Sequence, residues 1–561
     1  MEGSTKKSNH FLVQGSILAA ASIIVRLIGL LYRIPMTRIL GDQGMGIYGS
    51  AYEVYNVALI LSSYSLPLAV SKLVAARATK KEHRNAYRLF LCSMCFAIVV
   101  GLFATLIIFF GADFLAVLFY KDPYIALPLK VLAPTIFVFS IMGVLRGYYQ
   151  GKSTMIPTSI SQVLEQIVNA IVSVSAAYLL MINFSISDKV AAYGAAGGTL
   201  GTFVGAFVGM LFLFFVFILY KPTIKKQLKR DKTHNHETYS FLLKTLFITI
   251  VPVILSQIVY QISGLLDNTL FAHIMSTKQV THFDQTIVKD VTEGQLYTRD
   301  IRATLFGIYS NKYRLLTNLP VAIASAFGAA IVPSIAAAKI NDMEDVIRHK
   351  VHSAVKFNMI IAIPAAVGMG VLAAPIIKLL FPGTNVLLSA NLLRLGSVAI
   401  VFFALSTVTN SVLQGINKLK IPVMNSAISL GIHVILLFFL LHFTNLSTYA
   451  LVIGNVTFAM VVSLLNWFSV AKYLNYKQEL IRTFLIPTIS AGFMGLATYF
   501  GYQGILFISD SNLVATLASI VIAILVYFIF MVFMKGIDED ELQFLPKGYF
   551  IIRLLRKLHL L

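Results

Sequence analysis

The chain has 561 residues, of which 58% are hydrophobic and only 12% are charged, and its formal net charge is +21. A soluble globular domain carries about 25% charged residues, so this composition excludes an ordinary soluble protein. Apolar blocks of about 20 residues, the length that a helix needs to cross a bilayer, recur from end to end. The sequence therefore predicts an all-α polytopic membrane protein, and the short alternating segments typical of a membrane β-barrel are absent.

The apolar blocks predict about 14 transmembrane helices, an even number that places both chain termini on one side of the membrane. Lys and Arg concentrate in alternate connections, most densely in 72–88 and 221–244. Because cytoplasmic connections collect basic residues, we expect a plasma-membrane protein with cytoplasmic N- and C-termini. This bias explains most of the positive charge, so no nucleic-acid partner is expected. The predicted spans lie near residues 13–33, 47–70, 89–110, 126–147, 157–181, 190–220, 244–273, 304–336, 355–380, 389–413, 422–443, 447–471, 483–503 and 512–534.

The first predicted span is unusually basic, since the stretch VRLIGLLYRIPMTRILG contains Arg26, Arg33 and Arg38. An arginine at the centre of a bilayer is costly and usually functional. Arg26 and Arg33 are seven positions apart, so they share one helix face. Arg38 points elsewhere, and we expect it at the outer rim near Asp42, where its long side chain can reach water.

The two halves of the chain carry matching motifs in the same order. GIYGSAY at Gly46 matches GIYSNKY at Gly307, and SLPLAVS at Ser65 matches NLPVAIA at Asn318. Two further pairs are GLLYRIPM with GLLDNTLF, and YYQGKSTMIP with VLQGINKLKIP. Because each half has six predicted spans, the repeats share one orientation and are related by an axis along the membrane normal. The repeat predicts a cavity between two lobes and alternating access, although a duplicated scaffold without transport is the alternative.

These patterns predict five regions. The N-lobe is expected at 1–220 and the C-lobe at 244–474, joined by a basic cytoplasmic linker at 221–243. Two further transmembrane helices follow at 475–534. The tail at 535–561 alternates apolar and basic residues at helical spacing, so we expect an amphipathic helix on the inner membrane surface.

Six ionisable residues within predicted spans form the candidate substrate site. Intramembrane charges usually face a bundle interior or a water-filled cavity. Four of the six are basic, and a net-positive cavity fits an anionic substrate, because guanidinium groups bind phosphate in a bidentate manner. The alternative is structural ion pairing, for example of Arg26 with Glu53 or Asp267. The six candidates are Arg26, Arg33, Glu53, Asp267, Lys312 and Arg314.

Other features of the sequence are interpreted as structural. Lys130, Glu165 and Arg394 lie near the ends of spans, where charges commonly pair with neighbours or reach the interface. The glycines of GAAGGTLGTFVGAFVGM recur every four residues and predict a helix-packing face rather than a phosphate-binding loop.

The sequence contains no Walker A, H-E-x-x-H or G-x-S-x-G motif, and its histidines lack metal-ligand spacing. No connection is large enough for a nucleotide-binding domain. We therefore expect a monomeric protein that is not an enzyme, with no catalytic residues, cofactor or metal. A membrane polymerase or glycosyltransferase is an alternative because the outer loop 276–302 contains four carboxylates. These are Asp284, Asp290, Glu293 and Asp300.

Three stretches carry a family resemblance that extends over essentially the whole chain in span count and repeat. They are VRLIGLLYRIPMTRILGDQGMGIYGSAYEVYN at 25–56, LPLAVSKLVA at 66–75 and LRGYYQGKSTMIPTSISQVLEQI at 145–167. Together they resemble the YtgP/SpoVB branch of the polysaccharide exporters, which includes the MurJ-type lipid II flippases. That branch belongs to the multidrug/oligosaccharidyl-lipid/polysaccharide superfamily.

The resemblance implies two lobes around a cationic cavity and a lateral groove at spans 13 and 14 for a long lipid tail. It also implies essential arginines in span one, matched by Arg26 and Arg33, and a basic residue in span eight, matched by Lys312 or Arg314. The implied partners are membrane lipids and an undecaprenyl-pyrophosphate-linked glycan.

The implied function is that of a flippase that moves lipid II from the inner to the outer leaflet for peptidoglycan synthesis. One alternative is export of another undecaprenyl-linked polysaccharide. A small-molecule cation antiporter of the same superfamily is a weaker alternative, because it needs acidic residues where span one has arginines.

Overall fold

The computed structural model describes residues 17–537, with the exception of residues 19, 232, 234–236, 290, 341 and 384. Helices dominate this part of the chain, and its only β-structure is an isolated antiparallel bridge between Gln279 and Leu296. The prediction of an all-α fold is confirmed. Most of the predicted tail at 535–561 lies outside the described residues.

The helices of the first part of the chain follow the apolar blocks of the sequence. They are α1 (Ala20–Leu31), α2 (Arg33–Leu59), α3 (Leu66–Thr79), α4 (His83–Tyr120), α5 (Ala126–Gly151), α6 (Ile156–Asn183), α7 (Val190–Arg230) and α8 (Tyr239–Met275). Helix α7 continues to Arg230, so the first residues of the predicted linker at 221–243 are helical.

The second part begins with a short helix in the outer loop. Its helices are α9 (His282–Ile287), α10 (Arg299–Ile308), α11 (Arg314–Ile340), α12 (Glu344–Val371), α13 (Ala373–Leu380), α14 (Val386–Gly396), α15 (Ala399–Gly415), α16 (Lys420–Phe443), α17 (Thr448–Leu474), α18 (Ile486–Ser509) and α19 (Asn512–Phe533).

Within the described residues, 11 helices are long and apolar enough to cross a membrane, or 12 if the bent pair α14 and α15 is one span. The predicted count of about 14 therefore stays a prediction. One reason for the difference is that α2 is counted as one helix although Gly41 interrupts it, with φ of 65° and ψ of 178°. Such a φ suits glycine, which has no Cβ to clash in this region.

In the part of the chain that the structure describes, three π-helical turns interrupt the spans, and π-helical turns are often found at functional sites. Ile60–Tyr64 joins α2 to α3, Tyr309–Tyr313 joins α10 to α11, and Ile481–Leu485 precedes α18. The first two lie in predicted spans two and eight, which are the second spans of the two sequence repeats.

The chain packs as two compact units. The first unit contains Met1–Gln279 and Leu296–Gly307, and the second contains Val280–Gln295 and Ile308–Leu561. Helix α8 thus belongs to the first unit by packing, and the predicted lobe bounds stay a prediction.

Each unit has its own apolar core. In the first unit, buried residues such as Met36, Met45 and Leu129 pack together. In the second unit, Val355, Val408 and other buried residues of α11, α12 and α15 pack together.

The predicted glycine face is a helix-packing surface. Gly197, Gly201 and Gly205 on α7 lie so close to backbone carbonyl groups of α6 that an added Cβ would collide with them. This close approach is characteristic of small-residue interfaces between membrane helices. It brings polar side chains of α6 and α7 within reach of one another.

Candidate substrate-binding site

Arg33 lies among tyrosine hydroxyl groups in the first unit. Its half-buried guanidinium interacts with Tyr32, Tyr48 and Tyr52. The rings of Tyr48 and Tyr52 are one helical turn apart, with centroids separated by 4.6 Å. The hydroxyl oxygens of Tyr32 and Tyr48 are 3.2 Å apart. Along the described chain no carboxylate forms an ion pair with Arg33, so its nearest polar neighbours are neutral.

The break at Gly41 creates this arrangement. In a straight helix, Arg33 and Tyr48 would be separated by roughly 22 Å, because each residue advances the helix by 1.5 Å. The non-helical backbone at Gly41 lets the segment before it turn back against the segment after it. A residue without a side chain therefore brings the arginine and the tyrosines together.

Tyr52 is held from behind by a polar network between α6 and α7. Its hydroxyl is hydrogen-bonded to that of Thr202. Thr202 donates in turn to Asn169 Oδ1 at 3.4 Å, and Ser173 donates to the same oxygen at 2.9 Å. Asn169 and Ser173 are buried. The network anchors the tyrosine cluster to the packed pair of α6 and α7.

The acidic candidates lie where α2 faces α8, also in the first unit. The carboxylate of Glu53 fills the space beside Gly264, because a Cβ on that glycine would overlap it. Asp267 is 3% exposed. The neighbouring Asn268 donates from Nδ2 to Ser50 Oγ at 2.8 Å. Glu53 follows Tyr52 by one position, which turns it about 100° away on the helix.

The remaining basic candidates lie in different surroundings. Arg26 is exposed on α1. Lys312 is fully buried in the π-helical turn of the second unit, with Nζ 5.9 Å from the ring centre of Phe381. The Arg314 guanidinium lies 5.9 Å from the ring centre of Tyr309. The convergence of all six candidates on one cavity stays a prediction, as does the pairing of Arg26 with an acidic residue.

Two charges interpreted as structural are confirmed in that role. Lys130 Nζ lies 2.6 Å from Asp113 Oδ2, and Arg146 Nη2 lies 2.7 Å from Glu165 Oε2. Arg394 donates from Nη1 to Asn391 Oδ1 at 3.2 Å.

The carboxylates of the outer loop have local structural partners. Asp284 accepts from the Thr281 backbone in a capping box, and Glu293 lies 3.2 Å from His282 Nδ1. Asp300 Oδ1 accepts from Gln43 Nε2 at 2.7 Å. Asp290 lies outside the described residues. These contacts are local and structural, and they do not form a catalytic cluster of carboxylates. In the described segments no group of three His, Cys, Asp or Glu side chains is placed to hold a metal ion.

A buried carboxyl group lies in the connection between α4 and α5. Asp122 is 4% exposed, and its burial raises the pKa to about 6. Arg299 and Arg302 lie close enough to oppose this shift in pKa, whereas Asp300 reinforces it. The Arg299 guanidinium also stacks on Tyr124 at 3.6 Å from the ring centre.

The tyrosines and their polar support were not predicted from the sequence. Tyr48, Tyr52 and Tyr55 follow one another at intervals of four and three residues, which places them on one helix face. This regular spacing of tyrosines, next to a span that contains arginines, could have identified them as candidate site residues from the sequence. Asn169 and Thr202 gave no such signal, because their contact depends on how α6 packs against α7.

The described fold defines a class of protein, the polytopic helical membrane proteins. It matches a solved structure of the lipid II flippase MurJ in an inward closed conformation, with a TM-score of 0.62 and 16% identity over 91% of this chain and 97% of that chain. It matches an inward-facing multidrug resistance MATE family transporter with a TM-score of 0.61 and 16% identity over 83% of this chain and 98% of that chain. At these identities the likeness shows the fold alone.

The sequence defines the family more closely. The polysaccharide biosynthesis protein family matches residues 12–339, more than half of the chain, and the MatE family matches residues 315–439. The chain therefore belongs to the polysaccharide biosynthesis protein family, and the resemblance described above is confirmed.

Two relatives from Bacillus subtilis (strain 168) cover most of the chain. Stage V sporulation protein B is 26% identical over 552 residues, which are 97% of this chain and 99% of that protein. The lipid II flippase MurJ is 26% identical over 431 residues, which are 75% of each chain. This chain is thus a multi-pass membrane protein of the polysaccharide biosynthesis protein family, and its relatives include a protein named as a lipid II flippase.

Proposed function

We propose that this protein flips lipid II from the inner to the outer leaflet by alternating access, for peptidoglycan synthesis. The observation that carries the proposal is the environment of Arg33. A half-buried guanidinium in a membrane span lies among neutral hydroxyl groups, and in the described chain no carboxylate pairs with it. A desolvated cation in this state favours an anionic ligand.

The pyrophosphate of an undecaprenyl-linked precursor fits such a group. A guanidinium presents a planar fork of N–H donors that matches phosphate oxygens, and charge-assisted hydrogen bonds are stronger than neutral ones. Arg26, Lys312 and Arg314 would add positive charge for the pyrophosphate. Glu53 and Asp267 would fix the α2–α8 side of the site.

The lipid part of the substrate needs a separate path. We place the undecaprenyl tail in membrane lipid beside the two C-terminal helices at 475–534, while the headgroup crosses through the protein. Both termini would lie in the cytoplasm, and the monomer would be the working unit. A negative interior potential would favour outward movement of the anionic headgroup, by about 2.3 kcal/mol per charge for each 100 mV.

The relative named lipid II flippase supports lipid II as the substrate, because 75% of this chain aligns with it. Export of another undecaprenyl-linked glycan would use the same phosphate site. The two functions differ in which precursor accumulates in the inner leaflet when the protein is depleted.

The test is complementation of a strain that lacks its own flippase, with outer-leaflet lipid II measured by an accessibility assay. We expect wild-type protein to restore lipid II accessibility and growth, and Arg33→Ala to restore neither. Arg394→Ala is the matched control, because it removes an exposed arginine from another span. Full rescue by Arg33→Ala would overturn the proposed site, and accumulation of a different precursor would overturn lipid II as the substrate.

A further inference from the structure

The partners of Arg33 differ from those expected of a buried arginine. Buried charges in membrane proteins usually pair with an opposite charge or a backbone carbonyl. Arg33 instead forms a hydrogen bond with Tyr32 and lies near Tyr48 and Tyr52, and we call these three residues the tyrosine cage. A carboxylate partner would neutralise the guanidinium and compete with an anionic ligand, whereas a phenol accepts a hydrogen bond without adding charge.

We infer that the tyrosine cage orients Arg33 while leaving its full positive charge available for the substrate phosphate. This inference rests on the proposed function and names the residues that position its central arginine. Tyr48 is 1% exposed and Tyr32 is 8% exposed, and their hydroxyl oxygens lie 3.2 Å apart. Both therefore act as positioning residues behind Arg33.

A hydrogen-bond network behind the cage holds Tyr52 in place. Thr202 donates to Asn169 Oδ1, an amide oxygen that only accepts hydrogen bonds. The Tyr52 hydroxyl is hydrogen-bonded to that of Thr202. Thr202 and Asn169 thus support the Tyr52 hydroxyl near Arg33 without adding a charge.

The nearest acidic side chain on α2 is directed elsewhere. Glu53 follows Tyr52 directly, and a glutamate at the Tyr52 position would place a carboxylate inside the cage. Its actual side chain occupies the space beside Gly264 on α8. The helix thus separates a neutral face around Arg33 from an acidic face against α8.

The test uses the full-length protein in nanodiscs, with undecaprenyl pyrophosphate as the probe and undecaprenol as its uncharged counterpart. Tyr52→Phe removes a hydroxyl group of the cage, and Thr202→Val removes the group that holds this hydroxyl in place. We expect each to raise the Kd for undecaprenyl pyrophosphate about tenfold, the cost of about one lost hydrogen bond in the support of Arg33. Their combination should weaken binding no more than either change alone, because both act through one hydrogen bond.

Two matched variants separate positioning from general packing. Thr202→Ser keeps the hydroxyl and should bind like wild type. Tyr178→Phe removes the hydroxyl of an exposed tyrosine on α6 and should also bind like wild type. Undecaprenol should bind equally to every variant. If Tyr52→Phe fails to fold, Tyr48→Phe tests the other side of the cage with the same expectation.

The inference is overturned if Tyr52→Phe and Thr202→Val bind undecaprenyl pyrophosphate like wild type, or if undecaprenol binding falls in parallel. Binding by the variant Arg33→Ala distinguishes failure of the tyrosine cage from failure of the proposed function. Unchanged pyrophosphate binding by Arg33→Ala would refute the proposed site itself. If Arg33→Ala loses binding while Tyr52→Phe and Thr202→Val bind like wild type, only the tyrosine cage is refuted.

Discussion

Gly46 of α2 and Gly307 of α10 meet backbone to backbone. A Cβ on Gly46 would lie 3.1 Å from the Gly307 nitrogen, and a Cβ on Gly307 would lie 2.8 Å from the Gly46 nitrogen. These glycines are also the first residues of the matching motifs GIYGSAY and GIYSNKY. Equivalent positions of the two sequence repeats therefore contact each other directly.

Gly46→Ala should destabilise the protein at this crossing. The new methyl group would collide with the carbonyl of Ala303, and overpacking of this kind typically costs about 1–3 kcal/mol. The expected result is a lower thermal unfolding midpoint in detergent. Gly431→Ala is the control, since no packing neighbour lies within 4 Å of the position that its new methyl group would take; it should leave the midpoint unchanged or raise it. Equal effects of both changes would refute the close contact.

Arg33→Lys should separate charge from geometry in the proposed site. Lysine keeps the positive charge but loses the planar fork that binds phosphate in a bidentate manner. We expect undecaprenyl pyrophosphate binding between that of wild type and Arg33→Ala, with Kd raised about tenfold by the loss of one charge-assisted hydrogen bond. The measurement is a binding titration in nanodiscs. Wild-type affinity of Arg33→Lys would show that positive charge alone suffices to bind the pyrophosphate.

Glu165→Gln should destabilise the first unit strongly. The Arg146–Glu165 pair is largely buried, with 10% and 18% of the two side chains exposed, and loss of one partner leaves a buried charge at a cost of about 3 kcal/mol. Asp113→Asn is the matched control, because Asp113 is 69% exposed and exposed pairs contribute about 0–1 kcal/mol. Thermal unfolding of both variants tests the difference, and a smaller effect from Glu165→Gln than from Asp113→Asn would contradict it.

Stability should fall as pH rises through the titration of Asp122. Its pKa is raised from 3.8 to about 6, so the folded state binds a proton in a range where the unfolded state has released it. This contribution is fully present below pH 3.8 and is lost as pH rises through about 6. Asp122→Asn should remove this component, measured as the difference in unfolding midpoint from wild type between pH 4 and pH 7. A constant difference across that range would contradict the shifted pKa.

The sequence predicted the helices well because each span must bury its own backbone polar groups in lipid. It predicted the end of span one less well. The first span was expected at 13–33, but residues up to Leu40 are helical before the break at Gly41. Hydropathy averages over many residues and does not register one glycine with a positive φ.

Only part of the candidate site was predicted from the sequence. Arg33 stands out as a charge in an apolar segment, which a single sequence shows directly. Two of its tyrosine partners, Tyr48 and Tyr52, lie on the other side of the break at Gly41. Thr202 reaches Tyr52 from another helix. Contacts of this kind depend on chain direction and helix packing, which the residue pattern alone does not specify.

The π-helical turn at Ile60–Tyr64 lets one membrane span present two different surfaces. A π-helical turn contains an extra residue, so side chains after it are rotated by about 100° relative to an uninterrupted helix. Before the turn, Tyr48 and Tyr52 face Arg33. After it, Pro67 packs against Gly143 and Gly147 of α5. One inserted residue thus allows a single span to place tyrosines near Arg33 and also to pack closely against its neighbour.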